Sequence, residues 1–220
     1  MERMQYSEIY DYWSNNLCDG GNADFTFGLF KNKRVLEIGC GAGNDAQRFI
    51  EAEANYTGID LTNKAVEYTR NKIGLKDKVL KMNAEYLDFS DEYFDLVYSW
   101  GVIHHIITPQ NAIDEIYRVL KKEGFIYIML YNKFSFRYLV EICILRKILW
   151  WCRYYKFSEI RKIIPHPTKE QWISINTDNI GCPLSRVYTK KEAMDLFSHF
   201  RFIITFIRNK GWFRIIWGQK

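Results

Sequence analysis

Hydrophobic positions along most of the chain alternate between the spacing of a strand and that of a helix. Short apolar runs begin with RVLEIG at Arg34 and continue with YTGID, KVLKMNA, FDLVYSWG and FIYIMLY. Between them, apolar residues recur every three or four positions in DAQRFIEAEA, TNKAVEYTRNKIGL and PQNAIDEIYRVLKKEG. Thr62 is the expected N-cap of the second of these helices, and Gly124 the expected end of the third. Strands alternating with helices predict a parallel sheet with helices on both faces.

The last third of the chain departs from this alternation. Between residues 132 and 186 the strand–helix pattern breaks, and TKKEAMDLFSHF then predicts one more helix. FRFIITFIR and WFRIIWG are β-branched and aromatic runs joined by Asn-Lys-Gly, which favours a hairpin turn. A chain of 220 residues is long enough for one well-filled domain and too short for two ordinary ones. We therefore expect a single α/β domain over residues 1–220 that ends in an antiparallel hairpin.

The turn after the first predicted strand, VLEIGCGAGND, is the most informative segment. Glycines at Gly39, Gly41 and Gly43 let a ligand approach the backbone at the start of a helix. A dinucleotide fingerprint needs G-x-G-x-x-G, and position 44 is Asn44. No G-K-[ST] follows, so the segment is not a phosphate-binding P-loop either. The spacing disfavours a nicotinamide-dependent oxidoreductase.

Two acidic residues flank this turn. Asp60 ends the second predicted strand, 21 residues after Gly39, where a carboxylate can accept hydrogen bonds from a ribose diol. Glu37 lies inside an otherwise apolar strand, where a carboxylate is costly to bury without a partner. An acid-lined site of this kind suits a positively charged nucleoside.

Five segments in this order resemble the class I S-adenosylmethionine-dependent methyltransferases: LEIGCGAGND, TGIDLT, NAEYLDF, FDLVYSWGVIHHI and EIYRVLKKEG. The resemblance runs from about Arg34 to Tyr131 and is strongest to the small-molecule branch that includes quinone-biosynthesis enzymes. It implies a Rossmann-like, seven-stranded, mostly parallel sheet with a terminal antiparallel hairpin and a helical lid insertion. It also implies S-adenosyl-L-methionine as cofactor and methyl transfer to an oxygen, nitrogen or carbon of a small molecule.

The resemblance also implies which residues hold the cofactor. They are Tyr12, Trp13, Glu37, Gly39, Gly41, Gly43, Asp60, Leu61, Asn83, Ala84, Glu85, Ser99 and Trp100. Asn83 stands where many members have Asp, which predicts weaker adenine recognition through the amide oxygen. YDYWSNNLCDGG is similar to an N-terminal segment that folds over the cofactor in one subgroup, with Leu17 in place of its Pro. Residues 1–30 are therefore expected to cover the cofactor. The alternative is that Tyr12 and Trp13 pack onto the core instead.

The residues that bind the methyl acceptor are harder to predict from the sequence. In-line displacement at a sulfonium requires alignment of the reactants and exclusion of water more than it requires a particular catalytic group. His104 and His105 follow the fourth strand at the expected ligand crevice and are candidate general bases for a hydroxyl acceptor. The alternative is that one His stabilises its loop. Tyr131, Arg186 and Tyr188 are candidate substrate contacts, and Tyr188 is alternatively a staple for the following helix.

The insertion of residues 132–186 has two interpretations. Lys133 to Lys162 contain eight basic residues and two acids, Glu141 and Glu159, among many apolar ones. The favoured hypothesis is a helical lid whose Tyr138 and Trp150, with Leu145 and Trp151, roof the acceptor pocket. The alternative is a basic amphipathic helix that contacts a membrane or a lipid-linked substrate.

Composition narrows the classes of function that remain open for this chain. The net charge of +5 is only mildly basic, so no nucleic-acid partner is expected, and SWGV stands where an RNA enzyme would carry N/D-P-P-Y/F. Five cysteines without a C-x-x-C pair predict reduced thiols and no metal site. With no signal sequence or spanning stretch recognised, a cytoplasmic enzyme is expected. The alternatives are a methyltransferase acting on a lipid-linked or macromolecular substrate at a membrane, and a non-catalytic S-adenosylmethionine-binding module.

Overall fold

The computed structural model describes residues 25, 27–152, 166, 168–169, 185–208 and 213–220. Several features of the sequence lie outside these residues: the N-terminal segment with Tyr12 and Trp13, the Asn-Lys-Gly turn, and most of residues 153–184. The strands are β1 (Arg34–Ile38), β2 (Asn55–Asp60), β3 (Val79–Lys81), β4 (Phe94–Ser99), β5 (Leu120–Asn132), β6 (Val187–Tyr188), β7 (Phe202–Arg208) and β8 (Phe213–Gln219). The α-helices are α1 (Asn44–Glu51), α2 (Asn63–Ile73), α3 (Pro109–Val119), α4 (Arg146–Trp151) and α5 (Lys190–Leu196). A π-helix spans Arg137–Leu145, and 3-10 turns span Phe27–Phe30, Lys76–Lys78 and Ile103–His105.

The strands form one sheet in the order β3-β2-β1-β4-β5-β8-β7. Strands β1 to β5 are parallel, whereas β8 runs antiparallel to both β5 and β7. The predicted Rossmann-like sheet with its terminal hairpin is therefore confirmed. The sequence pattern did not reveal β6, a two-residue strand that pairs parallel with the end of β5 at Tyr131↔Val187 and Asn132↔Tyr188.

The predicted third helix is too long at its C-terminal end. Helix α3 ends at Val119, and Leu120 already belongs to β5. Leu120 is fully buried and pairs with Phe94, so sheet pairing and burial outweigh the helical propensity of LKKEG. Glu123 then turns the chain with a left-handed φ of 63°, and its N–H donates to the carbonyl of Lys220.

Local sequence signals explain where two of the other helices begin. The Thr62 side chain accepts a hydrogen bond from the Ala65 N–H at 3.3 Å, which confirms it as the N-cap of α2. Thr189 and Glu192 form a reciprocal capping box at the start of α5. Tyr188, directly before that cap, packs in the same buried cluster as Ala193, as a hydrophobic staple does.

The core lies in two layers, one on each face of the sheet. Helices α3 and α5 cover a layer that contains Ile113, Phe197 and Ile216. Helices α1 and α2 cover the other layer, which is rich in aromatic rings such as Phe49 and Tyr98. Because all five parallel strands point the same way, their carboxyl ends meet at one edge of the sheet, which we call the carboxyl edge. No helix in the described ranges is both long and apolar enough to cross a bilayer.

Candidate functional site

The glycine turn after β1 has the backbone conformation that its residue types predict. Gly39, Gly41 and Gly43 have φ angles of 76°, 52° and 70°, in the left-handed region that favours glycine. A Cβ on Gly39 would lie 2.1 Å from Cγ2 of Val102, so no side chain fits there. The N–H groups of Gly39 and Cys40 donate to the carbonyl of Ile59, which fastens the turn to the end of β2.

Asp60 connects the glycine turn to the second helix. One carboxylate oxygen accepts from the Gly41 N–H at 3.2 Å. The other accepts from the N–H and the hydroxyl of Thr62 at 2.9 and 3.0 Å. Burial raises the pKa of Asp60, against the lowering effect of the two bonds from Thr62. The carboxylate is thus held rigidly beside the glycine backbone, with 8% of the residue exposed.

Two further buried carboxylates lie near this turn. The Tyr56 hydroxyl donates to Glu37 at 2.5 Å, and the Tyr98 hydroxyl donates to Asp45 at 2.6 Å. Burial raises the pKa of both acids, and the negative charge of Asp45 raises the pKa of Glu37 further. The sequence analysis missed Asp45 and the two tyrosines. Asp45 could have been found as an acid in the first turn of the helix that the glycines open.

The residues after β3 form a small hydrogen-bonded turn. The Glu85 N–H donates to the side-chain oxygen of Asn83 at 3.0 Å, and a carboxylate oxygen of Glu85 accepts from the Thr108 N–H at 2.9 Å. Ala84 between them is buried, whereas Leu61, next to Asp60, is 65% exposed. The residues predicted to contact the adenine therefore lie at the carboxyl edge. The two polar ones, Asn83 and Glu85, are held in place by their own hydrogen bonds.

Ser99 and Trp100, at the end of β4, have different surroundings. The buried Ser99 hydroxyl donates to the carbonyl of Ile38 at 3.1 Å, so it ties β4 to β1. The half-buried Trp100 ring lies almost parallel to Tyr127, with 6.4 Å between ring centroids, and meets Phe213 edge-on at 5.7 Å. Trp100 belongs to a group of aromatic rings at the ends of β4, β5 and β8.

The two histidines differ in accessibility. His104 is fully buried and its ring centroid lies 3.9 Å from that of Tyr131, while His105 is half-buried. Within the part of the chain that the structure describes, neither ring nitrogen of His104 makes a hydrogen bond of normal geometry. Burial lowers the pKa of His104 well below its ordinary value, and the adjacent His105 lowers it further. His104 is therefore a neutral ring packed behind the loop.

Arg186 binds the loop that carries the histidines. Its N–H donates to the carbonyl of His104 at 2.9 Å, and its guanidinium donates to the carbonyls of Ile106 and Ile107. Tyr188, two residues later, is buried, and its hydroxyl makes no hydrogen bond among the described residues. The structure thus places Arg186 as a clamp on the histidine loop, and it places Tyr131 and Tyr188 at the end of β5 in different core layers, on opposite faces of the sheet.

The sequence-predicted residues that the structure describes therefore lie along the carboxyl edge, from the turns after β1, β2 and β3 to the end of β5. Their roles as ligand contacts stay predictions. Across the described ranges, no group of three or more His, Cys, Asp or Glu side chains could hold a metal ion.

Residues 36–128 match the family described as a methyltransferase domain. Over these residues, which make up less than half of the chain, the protein is similar to that family. The match includes β2 to β4, most of β1 and β5, and the carboxylates Glu37, Asp45 and Asp60. This family and its fold imply S-adenosylmethionine as the cofactor. The site fits that group, because its buried carboxylates suit a cation and its three glycines leave the backbone of the turn without side chains at those positions.

Two of the similar proteins match about half of this chain. The uncharacterized methyltransferase YcgJ of Bacillus subtilis is 34% identical over 95 residues, which cover 41% of this chain and 38% of that protein. A ubiquinone biosynthesis O-methyltransferase of Photobacterium profundum is 28% identical over 123 residues, covering 54% of this chain and 52% of that protein. The matched part of the chain thus spans about half or less of these relatives.

The fold itself extends over nearly the whole chain. An S-adenosylmethionine-dependent methyltransferase from Mesorhizobium loti superimposes with a TM-score of 0.63 at 13% sequence identity. The alignment covers 92% of this chain and 100% of that one. The likeness shows a shared fold.

Proposed function

We propose that the protein transfers the methyl group of S-adenosylmethionine to an oxygen, nitrogen or carbon atom of a small-molecule acceptor. The observation that carries the proposal is the glycine turn with its three buried carboxylates. In the described residues, Glu37 and Asp60 have no basic side chain in ion-pair contact, and their hydrogen-bond donors are a phenol, a hydroxyl and backbone amides. A cationic nucleoside supplies the positive charge that these buried acids lack.

Each part of the edge has a role in this proposal. The glycine turn and Glu37 face the amino-acid part of the cofactor, and Asp60 accepts hydrogen bonds from the ribose hydroxyls. Asn83, with Ala84 and Glu85, lies beside the adenine. The Asn83 oxygen already accepts from the Glu85 N–H, and its second lone pair is the one left for the base. Bound S-adenosylmethionine supplies an electrophilic methyl group on a sulfonium.

The ends of β4, β5 and β8 would hold the acceptor. Trp100 and Tyr131 both lie against Phe213, with ring centroids 5.7 and 6.1 Å from it, so flat apolar surfaces meet at this point. Such rings orient a planar or apolar molecule and exclude water. His105 is the residue we assign to take the proton of a hydroxyl acceptor, because His104 is enclosed. His104 and Arg186 act as positioning residues for the loop.

The test is calorimetry with S-adenosylhomocysteine, with S-adenosylmethionine and with NAD. We expect the two S-adenosyl compounds to bind and NAD not to bind. Asp60→Ala should weaken binding by about 1.5–3 kcal/mol, since it removes hydrogen bonds to a charged group. Asp77→Ala, at an exposed acid in the turn before β3, is the matched control and should bind as the wild type does. Tight NAD binding without S-adenosylhomocysteine binding would contradict the proposal.

A further inference from the structure

The helix that follows β5 carries large apolar side chains on its outer side. The π-helix of Arg137–Leu145 continues directly into α4, and two phenylalanines precede it. Trp151 is 87% exposed, Phe136 74% and Phe134 66%. Five more apolar residues of the helix are also exposed: Leu139, Val140, Ile144, Leu145 and Ile148. We call these eight residues the outer apolar face. Apolar residues clustered this densely on a surface mark an interaction site.

The inner side of the same helix is fixed to the domain. Ser135 is buried and its hydroxyl accepts from the Tyr138 N–H at 3.1 Å, and the Tyr138 ring packs against the aromatic core layer. Arg146 is also buried, so it too lies on the inner side. The described side chains of this helix therefore include a buried arginine and several strongly exposed apolar residues. A surface helix of a water-soluble protein ordinarily has the opposite arrangement.

The exposure of these apolar residues changes the interpretation of the insertion. A lid would turn its apolar residues toward the acceptor pocket, and of the four expected roof residues Tyr138 and Trp150 are indeed half-buried. Leu145 and Trp151, however, are 46% and 87% exposed. The outer apolar face thus needs a partner of its own, whatever the inner residues contact.

The charge of the sequence around this helix indicates the chemical nature of the partner of the outer apolar face. Residues 133–162 contain eight basic residues and two acids, an excess of six positive charges in the segment of the sequence that includes this helix. Lys147, between the exposed Leu145 and Ile148, is itself exposed. Tryptophan, phenylalanine and basic residues on one short helix are typical of segments that lie in the headgroup region of a bilayer. The two helical parts have nine and six residues, a length suited to lying on the surface.

We propose that the outer apolar face docks the protein on an anionic lipid surface, with Trp151 and the two phenylalanines inserted among the headgroups. A second copy of the chain is the less favourable occupant, because it would bring two such basic segments together. This interaction surface goes beyond the proposed methyl transfer and does not depend on it. It places the lipid surface beside the end of β5, where the proposed acceptor site lies.

The experiment is co-sedimentation with phosphatidylcholine vesicles that contain or lack phosphatidylserine. We expect binding to the anionic vesicles, little binding to the neutral ones, and a steep loss of binding with added salt. The double variant Phe136→Ser, Trp151→Ser should bind at least about tenfold less, because it removes the two most exposed rings from the helix. Lys147→Gln should reduce binding about fivefold, as expected for one basic residue at an anionic surface.

The control is the double variant Leu29→Ser, Ile207→Ser, which changes two apolar residues that are 69% and 51% exposed outside the outer apolar face. It should bind vesicles as the wild type does. All variants are first checked for an unchanged melting temperature and unchanged S-adenosylhomocysteine binding, so that a folding defect is recognised. An equal loss of vesicle binding in the control variant would overturn the proposal.

Two other results would also overturn it. One is the absence of vesicle binding by the wild type at low salt. The other is a dimer in sedimentation velocity that the Phe136→Ser, Trp151→Ser variant dissociates, since that result assigns the face to a second copy. The same samples distinguish failure of the lipid-surface proposal from failure of the proposed methyl transfer. Binding of S-adenosylhomocysteine without vesicle binding contradicts only the lipid surface, and vesicle binding without S-adenosylhomocysteine binding contradicts only the methyltransferase activity.

Discussion

At the scale of single residues, the carboxylates around the glycine turn dominate the chemistry. Glu37 is 97% buried, since only 3% of the residue is exposed, and its hydrogen-bond partner is the neutral Tyr56 hydroxyl. Burial and the charge of Asp45 therefore favour the protonated acid and raise the pKa of Glu37 well above its ordinary value. The ionised form becomes favourable when a cation is bound beside it. Ligand charge and protonation are thus coupled at this site.

Replacing Glu37 with glutamine should change stability in a pH-dependent way. An acid whose pKa is higher in the folded than in the unfolded protein binds more protons when folded, so stability falls as the pH rises above the ordinary value of 4.5. Glu37→Gln removes this loss and still accepts from Tyr56. Without ligand, the variant should melt at a higher temperature than the wild type at neutral pH and not below pH 4.5. Scanning calorimetry over this range is the measurement.

The same variant separates stability from binding. Because glutamine has no negative charge, it should bind S-adenosylmethionine more weakly while melting at a higher temperature. An unchanged difference in melting temperature across the whole pH range would show that Glu37 is not the titrating group. Glu67→Gln, at an exposed acid of α2, serves as the control and should leave the pH dependence as it is.

At the scale of elements, the turns after the strands decide what can approach the sheet. The glycine turn is bound to β2 through Ile59 and to α2 through the Thr69 hydroxyl, which donates to the carbonyl of Gly41 at 2.7 Å. The histidine loop is bound instead by Arg186, which comes from the far end of the insertion. Two different parts of the chain therefore hold the two halves of the proposed site.

Gly41→Val should abolish cofactor binding. The variant puts a branched side chain at the point of close backbone approach, in a conformation with φ of 52° that costs about 1–2 kcal/mol for a non-glycine residue. Gly74→Val is the matched control, because Gly74 has a φ of 71° and nothing lies within 4 Å of an added Cβ. Both variants should lose similar stability, and calorimetry with S-adenosylhomocysteine should show that only Gly41→Val loses binding. Normal binding by Gly41→Val would show that the segment is only a turn.

Arg186→Met should loosen the histidine loop without affecting the glycine turn. It removes the guanidinium bonds to the carbonyls of Ile106 and Ile107. Each lost bond to a charged group is worth about 1.5–3 kcal/mol, so amide exchange in residues 103–107 should accelerate at least about tenfold. Hydrogen-exchange mass spectrometry is the measurement. Arg201→Met, at an exposed arginine before β7, is the control, and equal acceleration in both variants would contradict the clamp.

At the scale of the whole molecule, the terminal hairpin completes the sheet. Strand β8 lies between β5 and β7, so the last residues of the chain pair with the strand that precedes the insertion. Ile216 of β8 is fully buried and pairs with Ile128 in the centre of β5. The two ends of the insertion are brought together separately by β6, which pairs with the end of β5 at Tyr131↔Val187.

Ile216→Ala should destabilise the whole domain by about 2–5 kcal/mol, because it leaves a cavity between β8 and the helices that cover it. Ile207→Ala changes the same residue type in the neighbouring strand, where the side chain is 51% exposed, and should cost less than about 1 kcal/mol. Urea denaturation followed by tryptophan fluorescence compares the two. Equal losses would show that the hairpin is not part of the cooperative unit.

Much of the fold could be predicted because strands and helices have different apolar spacings. The parallel strands, the terminal hairpin and the Thr62 cap follow from that spacing and from the side-chain chemistry of one segment at a time. The end of α3 could not be predicted in this way. LKKEG has the composition of a helix end, and only the pairing of Leu120 with Phe94 makes it the start of a strand. Strand β6 is likewise too short to give a pattern and exists through its neighbour β5.

The sequence by itself determined the glycine turn, the acids Glu37 and Asp60, and their order along the chain, because each is a local match of residue type to position. Only the tertiary structure decided that Asp45, Tyr56 and Tyr98 belong with the carboxylates around the glycine turn. The Tyr56 hydroxyl bonds to Glu37, 19 residues earlier, and the Tyr98 hydroxyl bonds to Asp45, 53 residues earlier. The tertiary structure also decided that Arg186 binds a loop about 80 residues earlier and that the outer apolar face is exposed. The physical reason is that the buried side of a helix or strand is set by the element that packs against it. That element comes from a distant part of the chain.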